Sequence, residues 1–218
     1  MEQVLEYFIK GGITMYPLLL CSIIGLAIVI EKSFALRTNK IIIPEIVSVL
    51  DNIQGPDDIG LARAICEKYE GPFANIIKTG LESRDLPKEE IKEALTDSGR
   101  QEVRHLERGL VFLETIAGIA PLLGLLGTVL GILKVFNIIA ERGIAQIPDL
   151  STGISEALIT TIVGLFIGIP AVVVYNFFTN KAEDLVLEIE KYSSILLRKV
   201  TLFQTNSKTK TKVKSNAV

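Results

Sequence analysis

Three stretches of this chain are almost free of charge, and the charged residues fall between and after them. Gly11 to Ile30 holds no Asp, Glu, Lys or Arg, and of these residues the run from Arg108 to Lys134 encloses only Glu114 and the run from Asp149 to Lys181 only Glu156. A helix needs roughly twenty apolar residues to cross the hydrocarbon core of a bilayer. Each stretch therefore predicts a membrane span, at 11–31, 108–140 and 151–180. The second and third are long enough to tilt or to project beyond the bilayer. The first does not read as a cleaved signal peptide, because MEQVLEYFIK is not a basic leader and no small-residue cleavage site follows.

The basic residues set a direction. Of the 23 lysines and arginines, 12 lie from Glu31 to Arg108 and 8 from Lys181 onward, leaving Lys10, Lys134 and Arg142. Positive charge stays on the cytoplasmic side. The expected layout is thus a periplasmic N-terminus at 1–10, a cytoplasmic region at 32–107, a periplasmic loop at 141–150 and a cytoplasmic C-terminus.

Between the spans the pattern is helical rather than that of a catalytic domain. Apolar residues recur at helical spacing over 44–50, 57–69 and 72–81, punctuated by Gly55-Pro56, Gly71-Pro72 and Pro87. From Lys88 to Arg108 the chain is dense in Glu, Lys and Arg, with pairs three or four apart and no breaker but Gly99. It is expected to run on into the second span as one helix. Residues 181–203 continue the third span, with Leu185, Ile189, Tyr192 and Leu196 on one stripe. The stretch 204–218, lysine-rich and almost without apolar residues, reads as a disordered basic tail with at most an attraction to membrane lipid. The fold class is therefore all-α, an integral membrane protein whose second and third helices extend into a cytoplasmic helical domain.

Composition adds mainly exclusions. A net charge of −2 gives no reason to expect nucleic acid. Cys21 and Cys66 fall in an apolar and a polar segment, and His105 is the only histidine, so neither a disulfide framework nor a metal site is expected. No nucleophile–base set can be assembled. The expectation is no enzyme and no cofactor.

Polar groups inside a span are expensive, which makes them candidates for function. Ala117, Pro121, Gly124, Thr128 and Gly131 recur at steps of four and three in the second span. Gly153, Ala157, Thr161, Gly164, Gly168 and Ala171 do so in the third. Both sets trace one helix face. Faces of small residues usually serve close helix packing, which accounts for the glycines better than for a threonine on each stripe. The two helices run antiparallel. Thr128 lies about twenty residues from Arg108 and Thr161 about nineteen from the far end of its span, so at about 1.5 Å per residue they stand at nearly one depth. Lys134 and Glu156 come out level one to two turns further out. Pro121 and Pro170 leave carbonyls without their helical donors. Such a wall can line a hydrated path for protons, with threonine orienting water rather than titrating. Glu156 alone could titrate. It could equally cap its helix or pair with Lys134, and a threonine can bond back to its own helix.

Ala120-Pro121-Leu122-Leu123-Gly124-Leu125-Leu126-Gly127-Thr128-Val129 resembles the second-span signature of the ExbB/TolQ/MotA proton-channel family. Gly153-Ile154-Ser155-Glu156-Ala157-Leu158-Ile159-Thr160-Thr161, with Gly164-Leu165 and Ile169-Pro170-Ala171, resembles its third. The resemblance implies a homopentamer whose second and third spans surround a pore holding single-span helices of an ExbD- or TolR-like subunit, which carries the proton-accepting aspartate. Proton motive force would then drive work on a partner such as TonB. Thr128, Thr161 and Thr160 would line the path, Glu156 would be the acid near its outer entrance, and Pro121, Gly124, Gly164 and Pro170 would serve packing and kinks. Three spans fit ExbB or TolQ rather than the four of MotA. Lys134 departs from the neutral polar residue expected there. The expected function is a proton-channel stator subunit of an inner-membrane motor, ExbB-like. The alternatives are a non-conducting scaffold and a TolQ-type role in envelope upkeep. A transporter is a weaker reading, since internal repeats and paired broken helices are missing.

Overall fold

The fold is that of a computed structural model, which describes residues 11–53, 55, 58–142 and 147–215, with the side chains of 142, 147–149 and 206–215 excepted. The expected segment 1–10 and the centre of the loop at 141–150 lie outside the described residues. Among those described there are eight α-helices and no strand: α1 Met15–Ala35, α2 Thr38–Ile41, α3 Pro44–Asn52, α4 Asp58–Lys68, α5 Pro72–Glu82, α6 Lys88–Glu107, α7 Leu110–Arg142 and α8 Ile147–Ser215. Helices α1, α7 and α8 are each long and apolar enough to span a bilayer. The chain is an all-α membrane protein.

It divides into two compact units, one of Met1–Lys32 with Gly109–Thr179 and one of Ser33–Arg108 with Asn180–Val218. The first is the membrane unit. Its large apolar side chains, among them Leu20, Leu122, Phe136 and Phe166, point outward, as expected where the solvent is hydrocarbon. Its small core gathers Met15, Leu18 and Ala120, with Leu123, Val163 and Ile167 packed against them.

The second unit is built as a water-soluble domain would be. Pro44 and Pro72 open α3 and α5 at first-turn positions where a missing N–H costs nothing. Phe73, Ile76, Ile77, Ile91, Leu185 and Leu196 are buried together with their neighbours. The Phe73 ring meets the edge of Tyr192 at 5.5 Å between centroids. The stripe read from the sequence of α8 is the one that packs. Lys199 reaches the C-terminal end of α3, where its ammonium donates to the carbonyls of Leu50 at 2.6 Å, Asp51 at 2.7 Å and Ile53 at 3.2 Å. Carbonyls at and just past a helix C-terminus lack the intrahelical donor that earlier ones have. Cys66 is buried in α4, and burial, seconded by Glu67, pushes its thiol up to about 11.

Two expectations change. The charged helix does not run on into the second span: α6 ends at Glu107, Arg108 turns extended, and Gly109 takes φ +94° before α7 begins. A left-handed glycine just past a helix end is a common C-terminal stop. At the other end, the backbone of α8 stays helical as far as Ser215, across most of the stretch expected to be disordered. A helix already nucleated extends at little further cost.

Candidate functional site

The small-residue stripes of α7 and α8 pack on one another. A methyl placed on Gly124 would lie 3.0 Å from the Thr160 carbonyl and 3.2 Å from the Cα atoms of Gly164 and Thr161. One on Gly164 would lie 2.6 Å from the Ala120 carbonyl and 2.9 Å from the Gly124 Cα. Gly131 meets Gly153 and Ala157 in the same way, and Gly168 meets the Pro121 ring. The seam is thus backbone against backbone. Both helices continue through their internal prolines, with Pro121 in the seam and Pro170 exposed.

Thr128 and Thr161 meet across this seam, half-buried, with their hydroxyls hydrogen-bonded to each other. Both also reach the same two carbonyls. Thr128 Oγ1 lies 3.3 Å from Gly124 O and 3.2 Å from Ala157 O, and Thr161 Oγ1 lies 3.2 Å from Gly124 O and 3.3 Å from Ala157 O. Each hydroxyl has one proton to give. One therefore donates to the other, the second donates to a carbonyl, and the reversed order is as good. Four oxygens share two protons, so acceptors are in excess.

Thr160 and Glu156 belong to a different edge. Successive residues turn by about 100° around a helix. Thr160 and Glu156 therefore lie on one flank of the seam and Thr161 on the other, as Gly127 and Lys134 do relative to Thr128. The flank of Thr160 is the one covered by the first span: a methyl on Gly127 would run into the side chains of both Thr160 and Thr14. Thr160 is only 1% exposed, and its hydroxyl donates back to Ala157 O at 2.9 Å or Glu156 O at 3.1 Å. The single wall of hydroxyls and acid expected from the sequence is thus two walls. A recurrence at steps of three and four fixes a face only to within about 100°, which is the angle that separates Thr160 from Thr161.

Lys134 and Glu156 form an ion pair, Nζ to Oε2 at 2.9 Å, with Glu156 19% exposed and Lys134 55%. Sequence reasoning assigned no contact role to Gly12, Thr14 or Gly127. The available signals were the glycine pair at the start of the first predicted span, the threonine two residues on, and the glycine beside Thr128. Among the described residues no three His, Cys, Asp or Glu side chains converge as metal ligands.

Residues 68–191, which include the whole of the α7–α8 seam, match the MotA/TolQ/ExbB proton channel family. The chain belongs to that family. Among its relatives, a Synechocystis sp. protein named as ExbB-like biopolymer transport protein 1 is 34% identical over 183 residues, 82% of this chain and 71% of the relative. A Methanothermobacter thermautotrophicus protein named as an ExbB homolog is 31% identical over 201 residues, 91% and 69% of the two chains. The Tol-Pal system protein TolQ of Haemophilus influenzae is 29% identical over 216 residues, 89% of this chain and 93% of the relative. Similarity to both named groups leaves this member of the proton-channel family placed in neither. The seam, with Lys134, Glu156 and Thr160 beside it, lies inside the matched stretch.

Proposed function

We propose that this chain is the channel-forming stator subunit of a proton-driven motor in the inner membrane, turning proton motive force into mechanical work on a periplasmic or outer-membrane transport partner, as an ExbB-like protein. The observation that carries this reading is the Thr128–Thr161 pair, held half-buried on the flank of the seam that the first span leaves open. A hydroxyl both accepts and donates. It can receive a hydrogen bond from a protonated carboxylic acid and, by turning, give one to the carboxylate left after the proton departs. The surplus of acceptors around the pair allows that rotation without stranding a donor. Threonine itself carries no charge here. The proton carrier is an aspartate on a single-span ExbD- or TolR-like subunit, held inside a homopentamer of this chain, and a TonB-like protein receives the work. The distribution of basic residues supports a periplasmic N-terminus with the polar unit in the cytoplasm.

A non-conducting scaffold draws support from the seam itself, since close packing alone explains its glycines. A TolQ-type role in envelope upkeep draws on the TolQ relatives. Thr161→Val, nearly isosteric, separates channel from scaffold. In the parent organism it should lower motor-dependent growth at least tenfold with the protein still assembled in the membrane, while Thr161→Ser retains most of it. Undiminished growth with valine would leave only the scaffold.

A further inference from the structure

Glu156 is the one carboxylate inside the third span's uncharged run, yet its surroundings are not those of a free proton acceptor. Oε2 accepts from the Lys134 ammonium at 2.9 Å. The rest of the carboxylate is seated on Gly12: a methyl built there would overlap it, with Glu156 Cδ only 2.8 Å away. Gly12 takes φ +69°, a left-handed conformation that glycine adopts without penalty. Its carbonyl accepts from the Met15 N–H at 3.2 Å, opening the first turn of α1. One carboxylate thus touches the start of α1 and is tied to α7 from its own place on α8. Lys134 lies about 36 Å along α7 from Leu110, and Glu156 about 34 Å along α8 from Thr179, so the three meet at one end of the membrane unit. The same flank continues downward through Thr160, Gly127 and Thr14, away from the threonine pair.

We propose that Glu156 is a positioning residue and not a proton carrier: with Lys134 it forms a clasp, seated on Gly12, that pins the first span to the second and third and so holds the seam in the register that presents Thr128 and Thr161. The inference rests on the proposed channel reading, because it assigns the proton path to the threonine flank alone. The ammonium makes the clasp depend on charge. Removing Lys134 leaves a largely covered carboxylate without its counter-ion, which costs more than removing an exposed pair.

The test measures proton flux and its pH profile with the full chain, assembled with its single-span acid-bearing subunit in vesicles. Lys134→Gln and Glu156→Gln should each lower flux at least fivefold. The exchanged pair, Lys134→Glu with Glu156→Lys, should recover at least half of the parent flux with an unshifted pH profile, since the clasp survives the swap and a proton-carrying carboxylate at position 156 does not. An exchanged pair that assembles but stays inactive, or whose pH profile moves, overturns the proposal. If the exchanged pair does not assemble, Lys134→Gln decides against Lys134→Arg: loss with glutamine and retention with arginine support the clasp, and parent-level flux with glutamine overturns it. None of these outcomes bears on Thr161→Val, so the clasp can fail while the channel reading stands.

Discussion

The two units of this protein hold their helices together by opposite means. In the membrane unit the seam between α7 and α8 is made of glycine, alanine and threonine, and the large side chains face outward. In the polar unit Phe73, Ile76, Ile91, Leu185 and Leu196 face inward, and a glycine such as Gly80 sits among the ends of leucine side chains rather than against backbone. The cause is the solvent. Water drives large apolar groups together, so the polar unit gains most by burying them. Lipid offers no such drive, and helices in it adhere through close approach, van der Waals contact and hydrogen bonds between them. The difference has a functional side. A seam of small residues leaves hydroxyls and carbonyls near one another at its edge, a setting that a leucine-filled interface would smother.

The contrast can be broken, and the largest expected effect lies in the polar unit. Phe73→Ala should destabilise it by ~3–5 kcal/mol, since it removes a fully buried aromatic ring and leaves a cavity. Chemical denaturation followed by the circular dichroism of the purified protein would read it, and a loss under ~1 kcal/mol would mean the core is not where the fold places it. Next comes a matched pair. Gly164→Ala sets a methyl 2.6 Å from a backbone carbonyl that cannot swing away, whereas Gly80→Ala sets one 2.7 Å from the tip of Leu196, which can. Overpacking against backbone should cost ~2–3 kcal/mol, and against a mobile side chain ~1 kcal/mol or less. Thermal unfolding of the two variants in one detergent compares them directly, and equal costs would erase the distinction between the two kinds of contact. The smallest effect has the opposite sign. Gly99 lies inside α6 with open space around its missing side chain, so Gly99→Ala should raise stability by ~0.5–1 kcal/mol. A loss on the same unfolding curve would show that this space is occupied.

Much of the architecture was legible because charge is prohibitive in hydrocarbon: three runs almost free of charge announce the three helices long and apolar enough to cross a bilayer. The packed stripe of α8 was legible for a similar reason, since only one face of a half-buried helix can stay apolar. The rotation of each helix about its own axis was not. Thr160 and Thr161 are neighbours in sequence and both polar, and only the position of α1 decides which is enclosed and which stays at the open edge. The break before α7 had a visible mark in Gly109, but the dense charges of α6 and the apolar run after it each favour helix, and the single stop between them was outweighed. Contacts such as Lys199 with the end of α3 join residues almost 150 apart, and no local pattern announces them.

That lysine has a consequence for a member of a proton-channel family. Its three acceptors are amide oxygens, which neither gain nor lose a proton as the surroundings acidify. A carboxylate in their place would let go whenever local acidity climbed past its titration range. The strap between α8 and α3 is therefore deaf to acidification, which leaves this joint as tight as it found it.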